Sequence, residues 1–197
     1  MENRNTLRGR HLDLPPFLLV IDLEATCDAS RRISTYEMET IEIGAVLVET
    51  RSLVTVGELG TFVKPIRHPV LTPFCTELTT ITQADVEHAP LFPEALEKLR
   101  ALIGGRDALF CSWGDYDRNQ LEQDARLHGV SLPFRGRHLN LKKQFSAALG
   151  LPKKLGMSGA LARVGLELEG THHRGIDDAR NIARLLPWTL GDARAQR

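Results

Sequence analysis

The sequence predicts an α/β fold in a single domain, with a mixed central sheet of about five strands flanked by helices. Three observations predict it. Phe17 to Leu23 (FLLVIDL) is a short continuous apolar run with an acid near its end, the pattern of a strand buried on both faces. Ile41 to Thr50 and Leu53 to Val63 are strand-like segments on either side of the turn Thr50-Arg51-Ser52, which makes them an antiparallel hairpin. From Ala108 onward, short apolar runs alternate with helical patterns, as they do where strands carry helices on their faces.

Taken in order, residues 1–14 are polar and read as a loose arm, residues 15–190 as the domain, and residues 191–197 as a tail. Lys64 to Pro73 holds Pro65, Pro69 and Pro73 and is expected to be a loop. Thr82 and Pro93 start helical segments, and the second runs to about Leu102, before Gly104-Gly105 stops it. Ala108 to Trp113 is a further strand, followed by a helix from Asp117 to His128. His138 to Leu141 is a last short strand. Helices follow at Lys142–Leu149, Met157–Val164 and Asp177–Pro187.

Composition narrows the possible roles. With 197 residues and 42% hydrophobic content, the chain can bury one good core. Its charges sum to zero, and no apolar run approaches the ~20 residues of a membrane span. Cys27, Cys75 and Cys111 are odd in number and far apart. That suits reduced thiols in a cytoplasm, and the absence of C-x-x-C spacing argues against a structural zinc. Charge is nonetheless uneven. Between Ala125 and Leu166 there is no Asp or Glu, while Arg126, Lys142, Lys143, Lys153, Lys154 and Arg163 all fall there. The segment 126–163 is either a set of phosphate contacts or a solvated basic face.

Five residues carry the chemistry. Asp22 and Glu24 are two apart on a strand and project from the same face. A third acid is Asp115 or Asp117, the first in a turn and the second opening a helix. His173 and Asp178 close the set, with Asp177 read as the helix cap and Gly175 letting the loop fold back over the helix start. Four converging carboxylates would repel one another unless divalent cations lay between them, and oxygen ligands suit Mg²⁺ or Mn²⁺. An imidazole beside them is a proton acceptor. Phosphodiester hydrolysis needs that combination. His172 reads as an ordinary surface or core histidine, Cys27 as a packed thiol, and Trp113 and Trp188 as core or edge aromatics.

These motifs resemble those of the DEDDh 3′-to-5′ exonucleases of the ribonuclease-H-like superfamily. The order is D-x-E-x-T at Asp22, G-x-x-D at Asp117 and H-x-x-x-x-D at His173. FCTELTTITQADV and GMSGALARVGLELEGTHHRGIDDARNIARLL further resemble the Eri-type exoribonucleases and bacterial KapD-like proteins, over residues 16–188. The resemblance implies two Mg²⁺ or Mn²⁺ ions on Asp22, Glu24, Asp117 and Asp178, with His173 as general base and Glu24 beside it in catalysis. It selects Asp117 over Asp115 because the family acid directly follows an aromatic, here Tyr116. Ala25 and Thr26 fall where the family holds the terminal sugar, and Phe74, Leu78 and Tyr116 where the terminal base packs. No SAP-like segment stands ahead of the domain, so no substrate choice is expected from one. The implied substrate is the 3′ end of single-stranded RNA or DNA, RNA being favoured. A DNA-trimming enzyme with the same site, or a binding module that keeps only the fold, are the alternatives.

Overall fold

The computed structural model describes residues 14–191, apart from 31 and 135. Of the expected arm (1–14) and tail (191–197), all but Leu14 and Gly191 lie outside the described residues. The elements are β1 (Phe17–Ala25), β2 (Thr40–Glu49), β3 (Thr55–Phe62), α1 (Pro73–Thr79), α2 (Gln83–Glu87), α3 (Phe92–Ile103), β4 (Ala108–Ser112) and α4 (Tyr116–His128), followed by β5 (His138–Asn140), α5 (Leu141–Ala148), α6 (Met157–Arg163), α7 (Gly175–Arg184) and α8 (Leu186–Thr189). The strands form one five-stranded sheet in the order β3-β2-β1-β4-β5. β1–β2 and β2–β3 are antiparallel, whereas β1–β4 and β4–β5 are parallel, so the sheet is mixed as expected.

β1 lies at the centre of the sheet, which is why its residues read as one apolar run. Leu18 and Val20 pack on one face with Phe145, Leu161 and Ile182 from α5, α6 and α7. Leu19, Ile21 and Leu23 pack on the other with Leu96 and Leu121 from α3 and α4. Continuing the first series past Val20 brings Asp22 and Glu24 onto the face that α7 covers. β4 accompanies β1 only from Phe17 to Val20, so the last residues of β1 run on without a parallel neighbour. A crevice opens at the carboxyl ends of these parallel strands, where open α/β sheets commonly bind ligands.

Two close approaches fix the position of α7. A Cβ on Gly44 of β2 would lie 2.0 Å from the Gly175 carbonyl carbon, so the helix start touches the sheet backbone to backbone. Glu42 of β2 accepts hydrogen bonds from the Gly175 amide (3.0 Å) and from Arg174 (Nε 3.0 Å, Nη2 3.3 Å). Gly175 is thus required for proximity, while the left-handed residue that turns the preceding loop is His173 itself, with φ 62°.

Three expectations need correction. The helix α7 begins at Gly175, so Arg174 occupies the cap position and Asp177 stands within the first turn, accepting from the Thr171 amide at 2.9 Å. It ends at Arg184, and α8 is a separate turn. Finally, α1 was not expected at all. Its seven residues are too short to reveal a periodic face, although Thr72 caps it through the Cys75 amide (3.0 Å) and Pro73 opens it.

Candidate active site

Asp22, Glu24, Asp117, His173 and Asp178 come together at the end of β1 and line one crevice. The strand supplies Asp22 and Glu24. α7 supplies Asp178, and a carboxylate oxygen from each of these three lies within 4.8 Å of the others. Asp117 arrives from the start of α4. Its Oδ1 accepts the Leu23 amide at 3.1 Å, in the stretch of β1 that has lost its parallel partner. The same free ladder edge that opens the crevice therefore anchors the acid that lines it.

Asp115 plays a different part. It is held by Lys143 Nζ at 2.7 Å, and this bond with that from Asn140 pulls its carboxyl down to about 2. Asp117 is 5% exposed and lines the crevice, whereas Asp115 is paired outside it.

Electrostatics in the crevice favour a cation. Burial, with the charges of Asp117, Asp178, Glu24 and Glu42, raises the Asp22 carboxyl well above its usual range. Burial, then Asp178, Glu42 and Asp117, pushes Glu24 up to about 8. Burial raises Asp117 and Asp178 each to about 6, the latter opposed by the His173 amide, which donates to Asp178 Oδ2 at 3.0 Å. Asp178 Oδ1 is buried without a hydrogen-bond partner. A group of buried carboxylates, one with an unpartnered oxygen, is a donor set of the kind hard divalent ions take. Glu42 stands opposite Glu24 across the β1–β2 ladder, and Arg174 offsets that like-charge pair.

His173 is partly buried, and desolvation followed by the neighbouring His172 lowers its pKa. The imidazole is therefore neutral near pH 7 and free to accept a proton. The His172 ring lies against it, tilted by 39° with centroids 3.9 Å apart, and His172 Nε2 lies 3.9 Å from Asp178 Oδ2.

The other expected contacts divide. Ala25, Leu78 and Tyr116 line the crevice, and Phe74 stands one turn ahead of Leu78 on α1, with 39% exposure. Thr26 is 1% exposed, and its hydroxyl is committed to the Glu39 amide at 2.9 Å. Trp113, Met157 and His172 also line the crevice, none of which sequence reasoning placed there. Trp113 donates from Nε1 to the Leu155 carbonyl at 3.1 Å, tying the β4 end to the loop before α6. Cys27 borders the crevice too. The hydrogen bond with Cys75, then burial, keeps its thiol protonated, as a packing role requires.

The sequence model of the RNase_T family, described as an exonuclease, matches residues 19–186. The chain belongs to this exonuclease family. It is 33% identical over 180 residues to "ERI1 exoribonuclease 3" of Mus musculus, covering 86% of this chain and 52% of that protein. It is 28% identical to "3'-5' exonuclease eri1" of Schizosaccharomyces pombe, covering 94% of this chain and 69% of that protein. Among solved structures, the nuclease domain of 3'hExo, a DEDDh family member bound to rAMP, superimposes with a TM-score of 0.83 at 27% identity, covering 91% of this chain and 94% of that one. This DEDDh exonuclease domain spans about half the length of the mouse relative that it matches.

Proposed function

We propose that this DEDDh exonuclease removes nucleotides one at a time from the 3′ end of single-stranded RNA, releasing 5′-mononucleotides. The observation that carries the reading is the convergence of Asp22, Glu24, Asp117 and Asp178 beside a neutral His173 in one crevice. RNA is favoured over DNA because the similar proteins are named exoribonucleases and the superimposed nuclease domain holds rAMP.

Asp22, Glu24, Asp117 and Asp178 would hold divalent cations, and the unpartnered Asp178 Oδ1 is an oxygen left free for one. Such cations, Mg²⁺ or Mn²⁺, supply activation of water and neutralisation of phosphate charge. His173 Nε2 or Nδ1 takes the proton of the attacking water. The Asp178 bond to the His173 amide holds the loop in its left-handed turn, so one acid orients both the loop and the site. Leu78 and Tyr116 offer apolar surface at the rim, against which an unpaired terminal base packs. A base still paired in a duplex would have to leave its partner to reach them. Beyond Trp113, the loop carrying the exposed Lys153 and Lys154 suits the phosphates upstream of the cleaved bond. The free thiols of Cys27, Cys75 and Cys111 are in keeping with a reducing cytoplasm.

Single-stranded oligonucleotides labelled at the 3′ or the 5′ end, as RNA and as DNA of matched sequence, test the reading in Mg²⁺ or Mn²⁺. Immediate release of the 3′ label as a mononucleotide, with stepwise shortening of 5′-labelled RNA, is the expected result. Faster shortening of DNA would make the enzyme a DNA trimmer. Absence of cleavage would leave a binding module.

A further inference from the structure

We infer that His172, His173 and Asp178 form a site for a zinc-class divalent ion at the mouth of the crevice, and that its occupancy switches the enzyme off. The hydrolysis proposed above needs one histidine, yet two lie here with their rings 3.9 Å apart. One donor atom from each of His172, His173 and Asp178 lies within 4.8 Å of the other two, so small side-chain movements bring them onto one ion. Asp178 is 5% exposed and its Oδ1 has no partner, which gives the site a buried anionic ligand already stripped of water. His172 is exposed, with a side-chain accessibility of 44%, so an ion reaches it directly from solvent. The other contact to its Nε2 is the Ser158 hydroxyl at 3.4 Å, a weak bond that a metal replaces.

The donor set decides the ion. Two imidazole nitrogens and one carboxylate suit Zn²⁺ and its neighbours in the transition series, whereas Mg²⁺ is taken by oxygens. Three protein ligands leave a further position for water or a phosphate oxygen. The consequence for turnover rests on the role proposed for His173: a ring nitrogen bonded to zinc has no lone pair left to accept a proton from water. Asp178 would meanwhile be drawn from the carboxylate group that holds the hard ions. Zinc is thus a brake, applied through a residue that the hydrolysis does not use.

Competition against a chromophoric zinc chelator, in excess Mg²⁺ and without nucleic acid, tests the site on the intact chain. Wild-type protein is expected to hold Zn²⁺, and His172→Ala or His172→Gln to weaken it by more than the ~10–100-fold that losing a partner outside the ligand shell costs. Co²⁺ as a substitute should give visible bands of a nitrogen-containing site that both variants lose. Equal zinc affinity in wild type and variants, or an unchanged cobalt spectrum, would overturn the site. A second arm measures, for each protein, the ratio of Mg²⁺-supported nucleotide release with and without Zn²⁺. Wild type should be inhibited at zinc concentrations ~10-fold or more below those that inhibit the variants. A protein that bound zinc through His172 but cut no nucleic acid would refute the nuclease reading and leave the site standing.

Discussion

At the scale of residues, the division of labour among the five groups has measurable consequences. His173→Ala removes the proposed proton acceptor while leaving Asp22, Glu24, Asp117 and Asp178 in place, and should lower kcat by ~10²–10⁴-fold. Calorimetric titration with Mn²⁺ should show metal affinity retained in that variant. An undiminished rate of nucleotide release would remove His173 from the role. Asp22→Ala, in contrast, should abolish both Mn²⁺ binding and turnover, since burial and then four neighbouring acids raise the Asp22 carboxyl, whose charge a cation would relieve. Asp22 and Glu24 could be picked from the sequence because a two-residue period at the end of an apolar strand leaves both on one face. Asp115 and Asp117 could not be separated by spacing, since both flank a helix start. The aromatic Tyr116 before Asp117 separates them by resemblance, and in the structure Asp115 pairs instead with Lys143, 28 positions away. His172 reads as an ordinary histidine in the sequence because nothing in THHRG says that its ring lies against that of His173.

At the scale of elements, the site depends on how tightly α7 is pressed to the sheet. Gly44→Ala places a methyl 2.0 Å from the backbone of Gly175, which cannot yield without moving the helix that carries Asp178. Overpacking typically costs about 1–3 kcal/mol, and backbone against backbone should exceed that range or prevent folding. Gly57→Ala is the control, since its new methyl meets only the movable Leu102 Cδ1. Urea denaturation should find it far milder, and equal losses would mean that α7 is free to shift. Glu42→Ala strips the acceptor from the Gly175 amide and from Arg174, and should cost about 1–3 kcal/mol in the same assay. The strands and the longer helices were legible because each shows its own period. α1 was not, being seven residues with only the Thr72-Pro73 cap to announce it. The Glu42–Arg174 clamp was hidden for another reason: its partners are 132 positions apart, and an isolated acid in an apolar strand gives no sign of what it faces.

At the scale of the whole molecule, concentrating acids at one end of the sheet sets how stability responds to pH. Asp117 and Asp178 rise to about 6 and Glu24 to about 8, from unfolded values of about 4. Between about pH 4 and about pH 8 the metal-free folded chain therefore binds more protons than the unfolded one, and its stability must fall as pH rises through that window. His173 and His138, both lowered by burial, act in the opposite sense below about pH 6.5, but they are two partly buried imidazoles against several buried acids. Carboxylates pulled down by surface partners, such as Asp115 beside Lys143, lose their contribution only as pH falls below about 4, outside the window. A divalent ion reverses the slope, because it replaces the protons and binds more strongly as they leave. Thermal melts at about pH 5 and about pH 8 should show the midpoint in chelator falling with pH and the increment from Mn²⁺ growing with it. A midpoint in chelator that climbed steadily across this interval would mean that the acids do not share one crevice, because dispersed carboxylates have no reason to hold their protons so far above the ordinary range.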